Sequence, residues 1–320
     1  MSTMTRVAAV DCGTNSIRLL IAAVDSSGAL HDIVRRMEIV RLGHGVDRTG
    51  VIEPAAMART LAMAREYAAQ CVDHEVEAVR FVATSASRDA RNAGEFIEGV
   101  TTAFARFGTA PEVVPGDVEA ELSFTGATGD AQAAGLPGPY LVVDIGGGST
   151  ELVRGFTRVE QKVSVDVGCV RLTERRLHSD PPTEDEIRLA VADIDEAIDL
   201  AMGSVDLAGV GTLIGLAGSI TTITAYALDL PSYQPERVHL SRLPVADVQR
   251  ACADLLHRTR AGKAAVPSLH PGRVDVIGGG ALIWSRVIDR LVETSGVTEV
   301  ITSEHDILDG IALSVVAPHA

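Results

Sequence analysis

A short motif occurs twice in this chain and constrains its fold more than any other feature of the sequence. The pattern D-x-G-x-x-S-x-x-L begins at Asp11 and again at Asp144. Each copy follows an apolar stretch and precedes another, which is the pattern of a strand, a glycine-rich turn and a second strand. One motif used twice indicates two similar halves. The sequence therefore predicts two β-hairpins, one in each half.

Helical and strand patterns alternate through the rest of the chain. We predict helices over residues 54–71, 93–107, 116–124, 183–202, 244–259, 281–294 and 306–316. We predict short strands over residues 78–83, 212–216 and 274–277. This alternation indicates an α/β fold with mixed sheets flanked by helices. The Gly- and Pro-rich stretch 126–139 is predicted to be the linker between the halves.

Composition and charge narrow the function classes. The 320 residues, 46% of them hydrophobic, suffice for two domains with a core in each. There is no run of about 18 apolar residues and no signal-peptide layout, so we expect a cytoplasmic protein without a membrane partner. A net charge of −15 argues against nucleic acid as a partner and repels polyanions at long range. The four cysteines are scattered and no histidine has zinc-finger spacing, so neither disulfides nor a zinc site is predicted.

Both glycine-rich turns are candidates for phosphate binding. Backbone N–H groups of such a turn can converge on an anion because no side chain intervenes, and a neighbouring hydroxyl adds a further donor. A single glycine run could be only a flexible turn, but the duplication favours an anion site. The predicted phosphate-binding residues of the two turns are Asp11, Gly13, Thr14, Asn15 and Ser16, and Gly146, Gly147, Gly148 and Ser149.

Two carboxylates flank the second turn. Asp144 lies at its entry and Glu151 just past its exit, so across a tight hairpin both can point at the same anion. They would repel phosphate unless a hard cation lay between them, which predicts Mg²⁺ or Mn²⁺. The alternatives are a turn-capping aspartate and a solvated strand glutamate. Arg18 stands where the second copy has Glu151, and it is predicted either to contact phosphate or nucleotide or to form a surface ion pair.

Two further charged residues are candidates for the chemistry. Arg88 follows the predicted strand 78–83, and its guanidinium suits a pair of phosphate oxygens. Ser85 or Ser87 beside it could be a plain helix N-cap. Glu119 lies in the first turn of a predicted helix, where it could be a general base for the attacking water or could simply complement the helix dipole.

Gly218 and Gly279 each follow a predicted strand and precede a predicted helix. Turns of this kind can flank a nucleotide base or the remote end of a polyphosphate. Helix capping and close packing explain such glycines equally well.

In this order, six segments resemble those of the exopolyphosphatase and guanosine pentaphosphate phosphohydrolase (Ppx/GppA) family of the actin-like ATPase superfamily. The resemblance extends from Val10 to Gly310 and rests on residues 11–16, 83–90, 115–120, 143–152, 168–174 and 278–280. It implies two actin-like (ribonuclease H-like) lobes with the active site in the cleft between them. Lobe I would comprise residues 1–125 and a returning C-terminal helix within 304–320, and lobe II would comprise residues 126–303.

The resemblance also implies roles for individual residues. The glutamate of the family's G-x-E-E-A motif is the general base and falls on Glu119; Val118 replaces the first glutamate of the doublet, and Glu121 is a less favoured rival. Asp144 and Glu151 would serve the metal and the terminal phosphate. The chain of phosphates would be bound by Asn15, Ser16, Arg88, Gly146, Gly147, Gly148 and Ser149.

The function implied is that of an exopolyphosphatase, which releases terminal orthophosphate from inorganic polyphosphate, and a homodimer is expected. Long members of the family carry additional C-terminal helical domains whereas this chain ends at Ala320, so we expect short polyphosphates to be favoured.

Other functions stay open. One alternative is a guanosine pentaphosphate (pppGpp) 5′-phosphohydrolase, in which Arg18, Gly218 and Gly279 could contact the nucleotide. Another is a sensor that binds polyphosphate or nucleotide without hydrolysing it. A sugar or acetate kinase would share the fold, but the sequence shows no distinct signature for an acceptor hydroxyl or a full nucleotide site.

Overall fold

The computed structural model describes residues 4–26 and 28–316. They divide into two compact units. Unit 1 takes in the described residues up to Gly126 and those from Ile307 onward, and unit 2 spans Ala127–Asp306. Within the described residues, no helix is both long enough and apolar enough to cross a membrane.

Unit 1 is built on a five-stranded mixed sheet of order β3-β2-β1-β4-β5. Strands β1 to β3 are antiparallel neighbours, whereas β1, β4 and β5 run parallel. The strands are β1 (Thr5–Cys12), β2 (Ser16–Val24), β3 (Leu30–Ile39), β4 (Ala78–Ala83) and β5 (Glu112–Val113). The helices that begin in the first segment of this unit are α1 (Val46–Thr49), α2 (Pro54–Asp73), α3 (Ser85–Asp89), α4 (Ala93–Ala103) and α5 (Gly116–Ala133), with a 3-10 turn at Ala105–Phe107.

Unit 2 is built on a six-stranded mixed sheet of order β10-β11-β9-β6-β7-β8. Its strands are β6 (Tyr140–Ile145), β7 (Thr150–Gly155), β8 (Val159–Val165), β9 (Thr212–Leu216), β10 (Ser241–Pro244) and β11 (Glu299–Thr302). Its helices are α6 (Cys169–Arg176), α7 (Glu184–Met202), α8 (Ala217–Ala227), α9 (Pro235–Val238), α10 (Val245–His257), α11 (Arg260–Ala264) and α12 (Ile277–Ser295), with a 3-10 turn at Pro271–Arg273.

The two sheets share a plan. In each, three successive antiparallel strands (β1-β2-β3 and β6-β7-β8) begin the sheet, and the first of them pairs in parallel with a later strand, β4 or β9. The prediction of an α/β fold with two mixed sheets flanked by helices is confirmed, as are the two predicted hairpins. The last helix, α13 (Ile307–Val316), belongs to unit 1, where Ile307 and Ile311 pack with Ala9 and Leu20.

The predicted linker at 126–139 is wrong over its first part, because α5 continues to Ala133. Phe124, Ala127 and Ala131 are all buried and lie three and four positions apart, so one apolar face carries the helix through its glycines. The helix is followed by Gly135, whose φ of 69° lies in the left-handed region that favours glycine.

The predicted strand at 274–277 is also wrong. Residues 274–276 form turns, and α12 begins at Ile277, so the three glycines 278–280 lie inside a helix. They are there because neighbouring side chains approach the helix closely. A Cβ on Gly279 would lie 2.6 Å from Thr173 Oγ1 of α6, and one on Gly280 would collide with Ser219 of α8. Close packing between helices, which no local pattern reveals, overrides the poor helix propensity of glycine.

Candidate active site

The first glycine turn, here called turn 1, comprises residues 13–15 between β1 and β2. The Gly13 amide donates to the Ser16 carbonyl at 2.9 Å and closes the turn. Asp11 and Arg18 are direct cross-strand partners, so their side chains emerge on the same face of the sheet. Arg18 donates from Nε and Nη2 to Asp11 Oδ2 at 2.9 and 2.7 Å, and Asp11 is only 4% exposed. The negative charge of turn 1 is thus balanced by a guanidinium of the same hairpin.

The second glycine turn, turn 2, comprises residues 146–148 between β6 and β7 and has the same closure. The Gly146 amide donates to the Ser149 carbonyl at 3.0 Å. Asp144 and Glu151 are direct cross-strand partners and are both buried, Glu151 completely. Ser164 of β8 donates to Glu151 Oε1 at 2.7 Å and orients it. Turn 2 therefore carries two buried carboxylates side by side where turn 1 carries an ion pair.

This donor set fits a hard divalent cation. Mg²⁺ and Mn²⁺ prefer carboxylate oxygens, and a buried pair of like charges is unfavourable unless a cation or a proton compensates it. Asp144 and Glu151 are hence the residues that could hold such an ion.

In both turns, backbone amides of a later segment donate hydrogen bonds to carbonyl groups of the turn. In turn 2, the first amides of α6 donate to the carbonyls of Gly146 and Gly147, at 3.0 Å from Cys169 and 2.9 Å from Val170. Within residues 4–26 and 28–316, the amides of Gly147 and Gly148 donate to no backbone carbonyl. The turn thus presents N–H groups that can serve an anion.

Sequence reasoning missed the residue that makes this support possible. Gly168 precedes α6, and a Cβ there would lie 2.5 Å from the carbonyl carbon of Gly147 and 2.6 Å from the amide nitrogen of Gly148. Only glycine lets the helix start approach so closely. The Gly168-Cys169 pair was part of the family resemblance, but its mechanical role depends on a contact with residues distant in sequence.

In turn 1 the support comes from the chain after β3. The Gly43 amide donates to the Thr14 carbonyl at 2.8 Å, and the amides of Val40 and Arg41 donate to the Asn15 carbonyl at 3.0 and 2.8 Å. A Cβ on Gly43 would collide with the Thr14 side chain. Gly43 therefore has the same role at turn 1 as Gly168 has at turn 2. A Cβ on Gly43 would meet a side chain, whereas one on Gly168 would meet backbone atoms.

Glu119 and Arg88 are brought together in unit 1. Arg88 Nη1 donates to Glu119 Oε2 at 2.8 Å and to the Val114 carbonyl at 2.8 Å. Glu119 is 9% exposed in the first turn of α5, whereas Glu121 is exposed on another face of the helix. The guanidinium fixes the orientation of the Glu119 carboxylate. The N-cap of α3 is Thr84, without a side-chain hydrogen bond, so neither Ser85 nor Ser87 has the predicted capping role.

Gly218 and Gly279 have packing roles in unit 2. Arg273 Nη1 donates to the Gly218 carbonyl and, at 3.0 Å, to Thr222 Oγ1, and its guanidinium occupies the space that a Cβ on Gly218 would need. Gly279 contacts Thr173 in the same close manner. Contacts of these glycines with a nucleotide or a polyphosphate stay predictions.

The fold and these sites define a phosphatase built on two units with duplicated glycine turns. Residues 20–315 match the family described as "Ppx/GppA phosphatase family", and the chain belongs to that family. It is accordingly a hydrolase, of a family that is generally metal-dependent.

Similar proteins agree with this assignment. The chain is 49% identical over 317 residues to "Exopolyphosphatase 2" of Mycobacterium tuberculosis, which covers 98% of this chain and 99% of that protein. A crystal structure of an exopolyphosphatase-like protein has a TM-score of 0.93 and 44% identity over 98% of both chains. The Aquifex aeolicus PPX-GPPA enzyme has a TM-score of 0.79 and 30% identity over 97% of this chain and 99% of that one.

Proposed function

We propose that this chain releases terminal orthophosphate from inorganic polyphosphate. The observation that carries the proposal is the duplicated turn with two buried, directly opposed carboxylates on one copy, Asp144 and Glu151. The 49% identity to a protein named exopolyphosphatase 2 supports polyphosphate as the substrate.

In the proposed reaction, Glu119 takes a proton from the attacking water, whose oxygen bonds to the terminal phosphorus in line with the phosphoanhydride P–O bond that breaks. The shortened polyphosphate leaves with the electron pair of that bond, and the terminal phosphate is released as orthophosphate. Arg88 holds the Glu119 carboxylate in place and is available to a phosphate oxygen. The amides of each turn, with the hydroxyl groups beside them (Thr14 and Ser16 at turn 1, Ser149 at turn 2), would bind phosphate oxygens. In the loose transition state of phosphoryl transfer, negative charge is spread over the phosphate oxygens. Fixed hydrogen-bond donors stabilise that charge, and no covalent intermediate is needed.

Asp144 and Glu151 would hold the cofactor, Mg²⁺ or Mn²⁺, which when bound screens the charge of the phosphate oxygens. Two carboxylates at this place would otherwise repel the substrate. Their burial and direct opposition support this role over those of a turn cap or a solvated strand residue.

We further propose that short polyphosphates are favoured. With a net charge of −15, the protein repels phosphates that extend beyond the binding turns, and the repulsion grows with the length of the polymer. Arg18 is engaged by Asp11 and Gly218 by Arg273, which leaves pppGpp as the less supported substrate. A homodimer and a cytoplasmic location stay predictions.

The test measures phosphate release from tripolyphosphate, long-chain polyphosphate and pppGpp, each with Mg²⁺ and with EDTA. The variant is Glu119→Gln, and the matched control is Glu121→Gln on the same helix. We expect Mg²⁺-dependent release from both polyphosphates, with kcat lowered about 10³-fold in Glu119→Gln and KM little changed, since a general base contributes about 10²–10⁴. Glu121→Gln should stay within about twofold of the wild type.

The outcomes separate the alternatives. Loss of activity in Glu121→Gln rather than Glu119→Gln would move the base to Glu121. Release from pppGpp alone would make pppGpp, and not polyphosphate, the substrate. Binding of polyphosphate without release from any substrate would make the protein a sensor.

A further inference from the structure

Three side chains that are far apart in the sequence converge in unit 2. Asp130 comes from α5, His239 follows α9 and His305 lies in the loop after β11. Asp130 Oδ2 lies 2.5 Å from His305 Nδ1 and 3.4 Å from His239 Nε2, and the three atoms all lie within 4.8 Å of one another. The imidazole rings are 4.6 Å apart between centroids, at an angle of 44°. One carboxylate oxygen and two imidazole nitrogens thus lie close together.

We propose that Asp130, His239 and His305 form a binding site for a divalent transition-metal ion, with Zn²⁺ as the fitting ion. Two imidazole nitrogens and one carboxylate oxygen are a ligand set that Zn²⁺ accepts, usually with water in the fourth position. Mg²⁺ and Ca²⁺ prefer oxygen ligands alone. The site therefore differs in chemistry from the pair Asp144 and Glu151, and the inference does not depend on the proposed function.

The distances are compatible with a tetrahedral ion. Zn–N and Zn–O bonds of about 2.0–2.1 Å place neighbouring ligand atoms roughly 3.3–3.4 Å apart. The separation between Asp130 Oδ2 and His239 Nε2, 3.4 Å, already has this value. The distance between Asp130 Oδ2 and His305 Nδ1 must increase by about 0.9 Å. The Asp130 and His305 side chains are 41% and 38% exposed, so they have room to move and solvent can deliver the ion.

The surrounding groups show what the ion would replace. The Asp130 carboxylate already contacts both imidazoles, with Oδ2 at 2.5 Å from His305 Nδ1 and 3.4 Å from His239 Nε2, and the ion would take the place of the protons in these contacts. The Glu304 amide approaches His239 Nδ1 at 3.3 Å, which places the imidazole proton on Nε2. Binding through Nε2 requires that proton to move to Nδ1, at the expense of this long and weak contact with Glu304.

The position of the cluster suggests a structural role for the ion. Asp130 follows the end of the first segment of unit 1 at Gly126, and His305 precedes its second segment, which begins at Ile307. A bound ion would cross-link these two stretches of unit 2 to His239 on a third. Because a ligand that binds only the folded state stabilises it, we expect the ion to raise the melting temperature of the full chain.

The test titrates metal-stripped full-length protein with Zn²⁺ by calorimetry and with Co²⁺ by visible absorption. The variants are Asp130→Asn and the double variant His239→Gln/His305→Gln, and the control is His257→Gln on the exposed end of α10. We expect one Zn²⁺ per chain, at least tenfold weaker binding in Asp130→Asn and none in the double variant. A hundredfold excess over Kd should raise Tm by about 5 °C in the wild type and the control.

Equal Zn²⁺ binding in the wild type and the double variant would overturn the proposal. If the double variant does not fold, the Co²⁺ spectrum of the wild type decides, because saturating Co²⁺ without intense tetrahedral d–d bands would refute the site. A parallel titration with Mg²⁺ separates this inference from the proposed function. The stabilisation by Mg²⁺ should survive in the double variant and be lost in Glu151→Gln, whereas the stabilisation by Zn²⁺ should show the reverse.

Discussion

Turns 1 and 2 share a backbone and differ in charge. Each follows a buried aspartate, closes through a glycine amide and a serine carbonyl, and is braced through its carbonyls by a following segment. Across the hairpin, however, Asp11 faces Arg18 and Asp144 faces Glu151. In turn 1 the two charges neutralise each other, whereas in turn 2 they repel.

Stability and function make opposite demands on the charged residues of the two turns. A buried pair of carboxylates lowers the stability of the hairpin that holds it, and such a cost persists where a ligand or a metal uses the charge. The ion pair of turn 1 has no such repulsion between like charges, so it can serve as a rigid anchor. We therefore expect substitutions in turn 2 to affect catalysis most and those at the turn 1 ion pair to affect stability most.

The largest effect that this comparison predicts is that of Glu151→Gln. Loss of one carboxylate should lower kcat/KM for tripolyphosphate on the order of 10³-fold, whereas Asp11→Asn should lower it about tenfold or less. In EDTA, Glu151→Gln should melt no lower than the wild type, since a repulsion is removed while the amide oxygen can still accept from Ser164. Stopped phosphate assays and thermal melts with and without Mg²⁺ measure both. Equal losses of activity in the two variants would contradict a special role of the turn 2 carboxylates in catalysis.

The second prediction compares Gly168 and Gly43, the glycines at which a later segment of the chain contacts each turn. Gly168→Ala places a methyl group against the backbone of Gly147, which cannot turn away, so we expect a loss of about 3 kcal/mol in unfolding free energy. Gly43→Ala meets the movable Thr14 side chain and should cost about 1 kcal/mol. Urea unfolding followed by circular dichroism measures both. A larger loss in Gly43→Ala would mean that α6 yields more readily than the chain after β3.

The third prediction concerns the ion pair of turn 1. Arg18→Met removes the guanidinium from the buried Asp11 carboxylate and should destabilise the protein by about 2 kcal/mol, since stranding a buried charge is costly. The control is Arg188→Met, whose partner Asp185 is exposed, and no measurable change is expected there. Thermal melts of both variants at pH 7 measure the two deficits. An Arg18→Met protein that melts at the temperature of the wild type would show that the ion pair contributes nothing measurable to stability.

The sequence was sufficient for the two hairpins because each is a local pattern. Asp144 and Glu151 were placed together from their spacing alone, and the register bears this out. The sequence was insufficient wherever a distant partner decides the structure. The sequence pattern at glycines 278–280 predicts a turn. The structure has them inside α12, where Thr173 and Ser219 lie so close that Gly279 and Gly280 have no room for a Cβ. The same holds for the ligand set of Asp130, His239 and His305, which no spacing rule could assemble.

The smallest predicted difference lies within the turns themselves. A Cβ on Gly146 would lie 3.2 Å from the Ser149 carbonyl oxygen, tighter than usual, whereas one on Gly13 would lie 3.7 Å from the Ser16 carbonyl oxygen, at ordinary contact. Gly146→Ala must therefore open turn 2 slightly, which would turn its amides away from the phosphate. We expect KM for tripolyphosphate to rise about fivefold in Gly146→Ala and about twofold or less in Gly13→Ala, since fivefold corresponds to roughly 1 kcal/mol. Steady-state kinetics at saturating Mg²⁺ measure this, and a larger rise in Gly13→Ala would show that turn 1, despite its balanced charge, makes the tighter contact with the substrate.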